Sequence, residues 1–217
     1  MSTLTYKIVS PQSKDYPKNL KQIDGHPQKL YVAGTVISDD QRALAMIGSR
    51  KMTDYGKKIA WEFSYFLARK GLTIVSGMAR GVDTVAHKAA LFAQGRTIAV
   101  LGSGIDVIYP PENAFLARAV SENGAVMTEF ELGTSPYAKN FLSRNRIISG
   151  LSIATLVIEG AARSGTLSIS NWALNQGKDV FAIPGRIDSP LSALPNYLIE
   201  NGAIPVTSPE DILDIIG

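Results

Sequence analysis

The chain has no cysteine and only two histidines, His26 and His87, far apart in sequence. Disulfides, thiolate nucleophiles and cysteine-ligated metals are therefore excluded. Neither histidine sits in a metal-ligand spacing, so no metal site is expected. The missing cysteines are compatible with a cytoplasmic setting. Long apolar runs are also missing. The stretch Leu151 to Ile158 is far too short to cross a bilayer and reads as a buried strand. The amino terminus, Met1 to Lys7, lacks the basic start and apolar block of a secretion signal, so no membrane partner is expected. Charge of one sign is scarce as well. With 22 Lys and Arg against 19 Asp and Glu, the net charge is only +3. Any polyanion must then be bound by a local concentration of charge, not by the whole surface.

What the chain does have is enough apolar content, 45% of 217 residues, for one medium domain with a buried core. Residues 1 to 42 are irregular and proline-containing, and read as an extended arm packed on a main domain at 43–217. From Ala43 onward short β-rich runs alternate with helical patterns. Strands are expected at Ala43–Ile47, Leu72–Val75, Thr97–Leu101, Ala125–Thr128, Ala154–Ile158 and Val180–Ile183. Helices are expected at about Asp54–Lys70, Val82–Gln94, Glu112–Asn123, Ser143–Leu151 and Leu167–Gln176. A last short helix should start at Ser208-Pro209, where a capping residue precedes proline and two acids. This alternation implies right-handed βαβ units, an α/β fold and a mostly parallel, doubly wound sheet.

Five glycine-rich turns follow β-rich runs directly. They are Gly48-Ser49-Arg50-Lys51, Ser76 to Gly81, Gly102-Ser103-Gly104, Glu159 to Thr166 and Pro184-Gly185-Arg186. In a parallel sheet all five fall on the carboxyl edge, where α/β proteins bind ligands. Backbone N–H groups and guanidinium forks gathered there suit phosphates. The spacings match neither the dinucleotide nor the Walker pattern, so no nucleotide cofactor is expected.

Several side chains on these turns are candidates. Ser49, Arg50 and Lys51 open the first turn, and Gly77, Arg80 and Gly81 form the second. Asp83 and His87, four apart on the following helix, can share a face and hydrogen-bond, either as a general-base dyad or as a pair pinning the helix start. No nucleophile accompanies them, so no catalytic residue is assigned. In Phe141 to Ile148, Arg144 and Arg146 project about 200° apart on one helix, with Asn145 between them. One arginine is expected to pair with Glu129 or Glu159 while the other faces the crevice, and the sequence leaves open which. Arg163, Ser164, Gly165 and Thr166 stand at a helix start, where Ser164 can be an ordinary cap, part of an anion cradle, or both. Tyr109, Phe130, Tyr137 and Phe141 fall near the same rim and could stack bases.

Taken in order, these motifs resemble the DNA-processing protein A family (DprA, also called Smf). The matching text includes Gly48-Ser49-Arg50, Ser76 to Asp83 with His87, Gly102 to Asp106 with Tyr109-Pro110, Phe141 to Ser152, Ser164-Gly165-Thr166, Ile183-Pro184-Gly185 and Leu198-Ile199 with Gly202-Ala203. The resemblance implies an extended Rossmann-like domain that binds single-stranded DNA and helps load RecA recombinase during DNA uptake, as a likeness to non-enzymatic homodimers. It also implies a DNA pocket made by Ser49, Arg50, Phe141, Arg144, Arg146, Ser164, Gly165 and Thr166. The sequence departs from the family at Ala193-Leu194-Pro195-Asn196, where a glycine usually precedes the asparagine, so a different local turn is expected. A second reading is an enzyme similar to the LOG-type phosphoribohydrolases, with Glu159 as catalytic acid, although their Pro-Gly-Gly-x-Gly-Thr turn is replaced here. A nucleotide-sensing module is a third.

Overall fold

A computed structural model describes residues 4–162 and 164–217. The strands are β1 (Lys7–Val9), β2 (Leu30–Gly34), β3 (Ala43–Ile47), β4 (Thr73–Ser76), β5 (Thr97–Val100), β6 (Gly124–Thr128), β7 (Ala154–Val157), β8 (Asp179–Ala182) and β9 (Ile204–Pro205). The α-helices are α1 (Lys18–Lys21), α2 (Asp54–Arg69), α3 (Val82–Phe92), α4 (Ala114–Glu122), α5 (Ala138–Leu151), α6 (Gly165–Asn175), α7 (Ala193–Glu200) and α8 (Pro209–Ile216). All strands join one sheet in the order β1-β2-β6-β5-β4-β3-β7-β8-β9. From β6 to β9 every pairing is parallel.

Alternation along the strands explains the two layers. In β3, Ala43, Ala45 and Ile47 enter a core with Leu20, Ile147, Ile148, Ile169 and Leu194, from α1, α5, α6 and α7. Leu44 and Met46 point to the opposite face and pack with Phe63, Leu67, Ala86 and Ile212, from α2, α3 and α8. Ala99 and Leu101 meet Leu116 and Val120 of α4 on that second face. A strand buried on both faces needs a continuous apolar run, and Ala-Leu-Ala-Met-Ile supplies one. The fold is therefore α/β with a doubly wound, mostly parallel sheet.

The amino-terminal arm does more than lie on the domain. Much of it is irregular, but β2 pairs antiparallel with β6, and β1 with β2, so the arm extends the sheet at one edge. Asn19 is also tied to the main body, donating to the carbonyls of Gln41 (2.8 Å) and Leu151 (3.1 Å). The expected final helix begins at Pro209, with Ser208 and Asp211 exchanging capping bonds. Around Asn196 the chain forms α7 instead of an open turn. Proline costs nothing in a first turn, where its N–H would be unpaired anyway. Among the described residues no helix is long and apolar enough to cross a membrane.

The position of the site follows from strand order. β3 has β4 on one side and β7 on the other. The winding reverses between β3 and β7, and the connections diverge to opposite faces. A crevice opens at such a switch point, beyond the carboxyl ends of the two strands.

Candidate nucleic-acid interface

The crevice has a volume of about 720 Å³, and its walls include Ser49, Arg50, Lys51, Phe141, Arg144 and Ser164. Its first wall is the turn after β3. The Lys51 N–H donates to Ser49 Oγ (3.0 Å), and the Val82 N–H donates to the Ser49 carbonyl (3.2 Å). Gly81, with φ +78°, lies so close that a Cβ there would sit 2.1 Å from the Ser49 oxygen. Only glycine permits that backbone contact. At the far end of the turn, Thr53 caps α2 by accepting the Gly56 N–H (3.0 Å). Buried Glu159 in turn accepts the Thr53 N–H (2.8 Å) and hydroxyl (2.5 Å). The turn is pinned at both ends, and Arg50 and Lys51 are exposed from it.

The floor comes from α5. Arg144 is only 4% exposed, and its guanidinium lies against Gly77. Nη1 donates to the carbonyls of Gly77 (2.8 Å) and Val100, while Nε finds no partner among the described residues. Burial brings the guanidinium down to about 10, with Asp83 opposing and Arg50 reinforcing, so it remains a cation at neutral pH. Burial pushes the Asp83 carboxyl up, against the pull of Arg144 and of the Ala79 and Gly77 N–H groups (3.2 and 3.1 Å) that it accepts.

Phe141, one turn before Arg144, joins the two cations. Its ring centroid is 5.4 Å from the Arg50 guanidinium and 5.8 Å from that of Arg144. Tyr109 packs on the same ring at 5.8 Å. The opposite wall is the start of α6. Ser164 holds the N-cap position, yet its hydroxyl makes no bond to the helix and, although buried, has no partner among the described residues. Of the two roles open to Ser164, the ordinary cap is therefore not formed. Thr166 Oγ1 donates to the Gly48 carbonyl (3.4 Å), and Asn145 donates to the Gly165 carbonyl (3.3 Å), joining this wall to the other two. Arg163 lies outside the described residues.

The structure thus gathers Ser49, Arg50, Lys51, Phe141, Arg144, Asn145, Ser164, Gly165 and Thr166 around one crevice. It places other candidates elsewhere. Arg146 turns away from the crevice and makes a bidentate pair with Glu129 (2.6 Å for both bonds), with Nε donating to the Gly25 carbonyl of the arm (3.0 Å). Arg80 forms a surface pair with Glu112 (2.5 Å). The proposed Asp83–His87 bond does not form. His87 is fully buried, with Nδ1 2.6 Å from Thr97 Oγ1, and burial plus nearby Arg144 lowers it to about 3. Asp83 pins the second turn without His87, by accepting the Gly77 and Ala79 N–H groups. Gly77 leaves room for the Arg144 guanidinium, which a Cβ there would approach to 2.5 Å.

The model of a family described as DNA recombination-mediator protein A matches residues 7–217. The chain belongs to this family. It is 46% identical over 210 residues to protein Smf of Escherichia coli K12, covering 96% of this chain and 56% of the relative. It therefore spans little more than half of that relative's length. DNA processing protein A from Streptococcus pneumoniae has a similar solved structure, with a TM-score of 0.90, 38% identity and coverage of 97% of this chain and 74% of that one. A structure of DNA processing protein A from Helicobacter pylori, solved to address that protein's single-stranded DNA binding mode, gives a TM-score of 0.86 and 28% identity. It covers 98% of this chain and 96% of that one.

Sequence reasoning missed residues that hold the turns at the carboxyl edge of the sheet. Asn113 donates to the Met78 carbonyl and Thr84 Oγ1 (both 2.8 Å), holding the second turn. Asn196 clamps Gly185 by bonds to its N–H (3.1 Å) and carbonyl (3.0 Å). The partners of Asn113 lie 35 and 29 residues away and that of Asn196 lies 11 away, so neither role leaves a local mark.

Proposed function

We propose that the crevice binds the backbone of single-stranded DNA. The observation that carries this reading is the Arg50–Phe141–Arg144 stack beside the open start of α6. Two guanidinium groups meet phosphates, the ring offers a face to a base, and the free Ser164 hydroxyl and first-turn N–H groups of α6 receive a further phosphate oxygen. These contacts read the backbone, so binding is only weakly sequence-selective. We assign direct roles to Ser49, Arg50, Lys51, Phe141, Arg144, Asn145, Ser164, Gly165 and Thr166, and a supporting role to Arg146, which fixes the arm. On this reading residues 43–217 are the DNA-binding domain and 1–42 are an arm that braces α5.

Family membership supports the wider role of a recombination mediator that presents single strands to RecA during DNA uptake, as a cytoplasmic homodimer. The reading is non-enzymatic. Glu159, which a phosphoribohydrolase would use as an acid, has its carboxylate committed to Thr53, and a Cβ on Gly56 would lie 2.2 Å from it. The test is fluorescence anisotropy with labelled single- and double-stranded oligonucleotides at several salt concentrations. Log K should fall with log salt by about 0.7 for each phosphate neutralised on a single strand. Arg50→Ala should weaken all sequences alike and reduce that slope by roughly one phosphate. A salt-independent affinity, or release of free base from nucleoside monophosphates, would overturn the reading.

A further inference from the structure

Away from the crevice, the outward side of α2 carries rings that a folded domain would ordinarily bury. Tyr55 is 51% exposed, Trp61 39% and Tyr65 37%, and Phe92 at the end of α3 is 70% exposed. Phe92 packs at a tilt on both Trp61 (5.5 Å, 50°) and Tyr65 (6.1 Å, 46°), so the three make one cluster and not scattered side chains. Contiguous exposed aromatic surface of this kind marks a place where something binds.

The spacing on α2 orders the rings. Tyr55, Lys58, Trp61 and Tyr65 follow one another at intervals of three, three and four residues, which keeps them along one side of a helix. At 1.5 Å per residue the stripe is about 15 Å long. It begins one turn after Arg50 and Lys51, at the mouth of the crevice, because α2 starts where the pinned turn ends. The exposed charges of α2 are Lys57, Lys58 and Arg69 against Asp54 and Glu62, so cations are in slight excess beside the rings. Rings interleaved with lysines along a line that leads out of a phosphate-binding crevice match the chemistry of a stacking platform for unpaired bases.

We propose that this stripe is a second single-strand site, onto which nucleotides leaving the crevice stack against Tyr55, Trp61 and the Tyr65–Phe92 pair. The inference rests on the crevice reading, and it adds a direction for the strand: past Lys51 and along α2. A short oligonucleotide fills the crevice alone, whereas a longer one reaches both sites.

The experiment compares oligothymidylates of about 5 and about 20 nucleotides, one near the lower end of typical single-strand site sizes and one beyond the upper end. The readouts are anisotropy and tryptophan emission of the full chain carrying Trp172→Phe, which leaves Trp61 as the reporter. The long strand should quench Trp61 and the short one should not. Trp61→Ala should lower affinity for the long strand by roughly tenfold, within the range of one lost base stack, and leave the short strand unchanged. Lys58→Glu, which keeps every ring, should weaken the long strand selectively as well. Loss of short-strand binding in the unsubstituted chain would refute the crevice reading itself. Equal affinities of Trp61→Ala and the parent for the long strand, or an unquenched Trp61, would overturn the second site while leaving the crevice intact. A change in self-association on Trp61→Ala, at constant DNA affinity, would mark the face as a protein-docking surface and overturn it too.

Discussion

Gly77→Ala tests the floor of the crevice without replacing any residue assigned a direct contact with DNA. A Cβ at this position would lie 2.5, 2.6 and 2.7 Å from Nη1, Nη2 and Cζ of Arg144. Non-bonded heavy atoms settle near 3.5 Å or beyond, so the guanidinium must retreat by about 1 Å. The side chain is long, but it is buried, and the retreat breaks its donation to the carbonyls of Gly77 and Val100. A hydrogen bond from a charged group contributes about 1.5–3 kcal/mol, and partial re-pairing with water at the crevice recovers some of the loss. The expected cost is therefore about 2–3 kcal/mol, or roughly 4–12 °C in Tm for a domain of this size. Thermal unfolding followed by circular dichroism measures that term, and anisotropy with a labelled single strand measures the loss of phosphate contact, which should be about tenfold or more. The decisive comparison is a double-mutant cycle with Arg144→Met. If Gly77 acts only by accommodating the guanidinium, alanine should cost little once the arginine is gone. An equal cost in both backgrounds would refute the argument.

Three further outcomes follow from particular side chains. Free His87 titrates near 6.5 and the buried ring only near 3, so the unfolded chain binds the proton more readily between those values. Stability should fall as pH drops, by about 2 kcal/mol between pH 7 and pH 5 from this residue, and denaturant titrations of His87→Gln should show a shallower acid loss. Ser164→Ala removes a buried hydroxyl without a partner among the described residues, so urea unfolding should show unchanged or slightly higher stability while single-strand affinity falls about threefold to tenfold. Arg146→Met leaves Glu129 unpaired and frees the Gly25 carbonyl, so it should destabilise the fold by about 2–4 kcal/mol and expose the arm to limited proteolysis, with single-strand affinity changed less than about threefold at temperatures where the variant is folded.

The parts of the fold legible in the sequence are those whose signal is local. Ala43 to Ile47 is an unbroken apolar run ending in glycine, and α2 buries Phe63, Leu67, Ala60 and Gly56 at helical spacing. Such elements appear at nearly the expected bounds. The arm strands did not, because β1 has three residues and β2 follows an irregular segment with scattered prolines. β1 pairs with β2, and the partner of β2 is β6, nearly a hundred residues away; antiparallel pairing over that distance leaves no mark in either segment alone. α7 was hidden by Pro195, which reads as a helix breaker but sits in the first turn, where it fits.

The five glycine-rich turns show why the site was only partly legible. Alternation of strands and helices puts every such turn on the carboxyl edge, but it does not say which two adjoin. That depends on β7 inserting beside β3, a tertiary choice. Once it is made, the turns divide by task. Those after β3 and β7 form walls of the crevice, and the one after β4 gives its Gly77 surface to Arg144. Gly102, after β5, leaves space for the Phe141 ring, whose Cδ1 would lie 2.6 Å from a Cβ there. The turn after β8 contributes no wall: Gly185 is clamped by Asn196, and Arg186 pairs with Asp188 (2.7 Å). The two arginines of α5 divide in the same way. Helical geometry alone sends Arg144 and Arg146 in opposite directions, and only the packing of Ile147 and Ile148 against the sheet decides that Arg144 points to the crevice and Arg146 to the arm. A residue's chemistry was readable before the fold was known; its address was set by the neighbours that the sheet order brought to it.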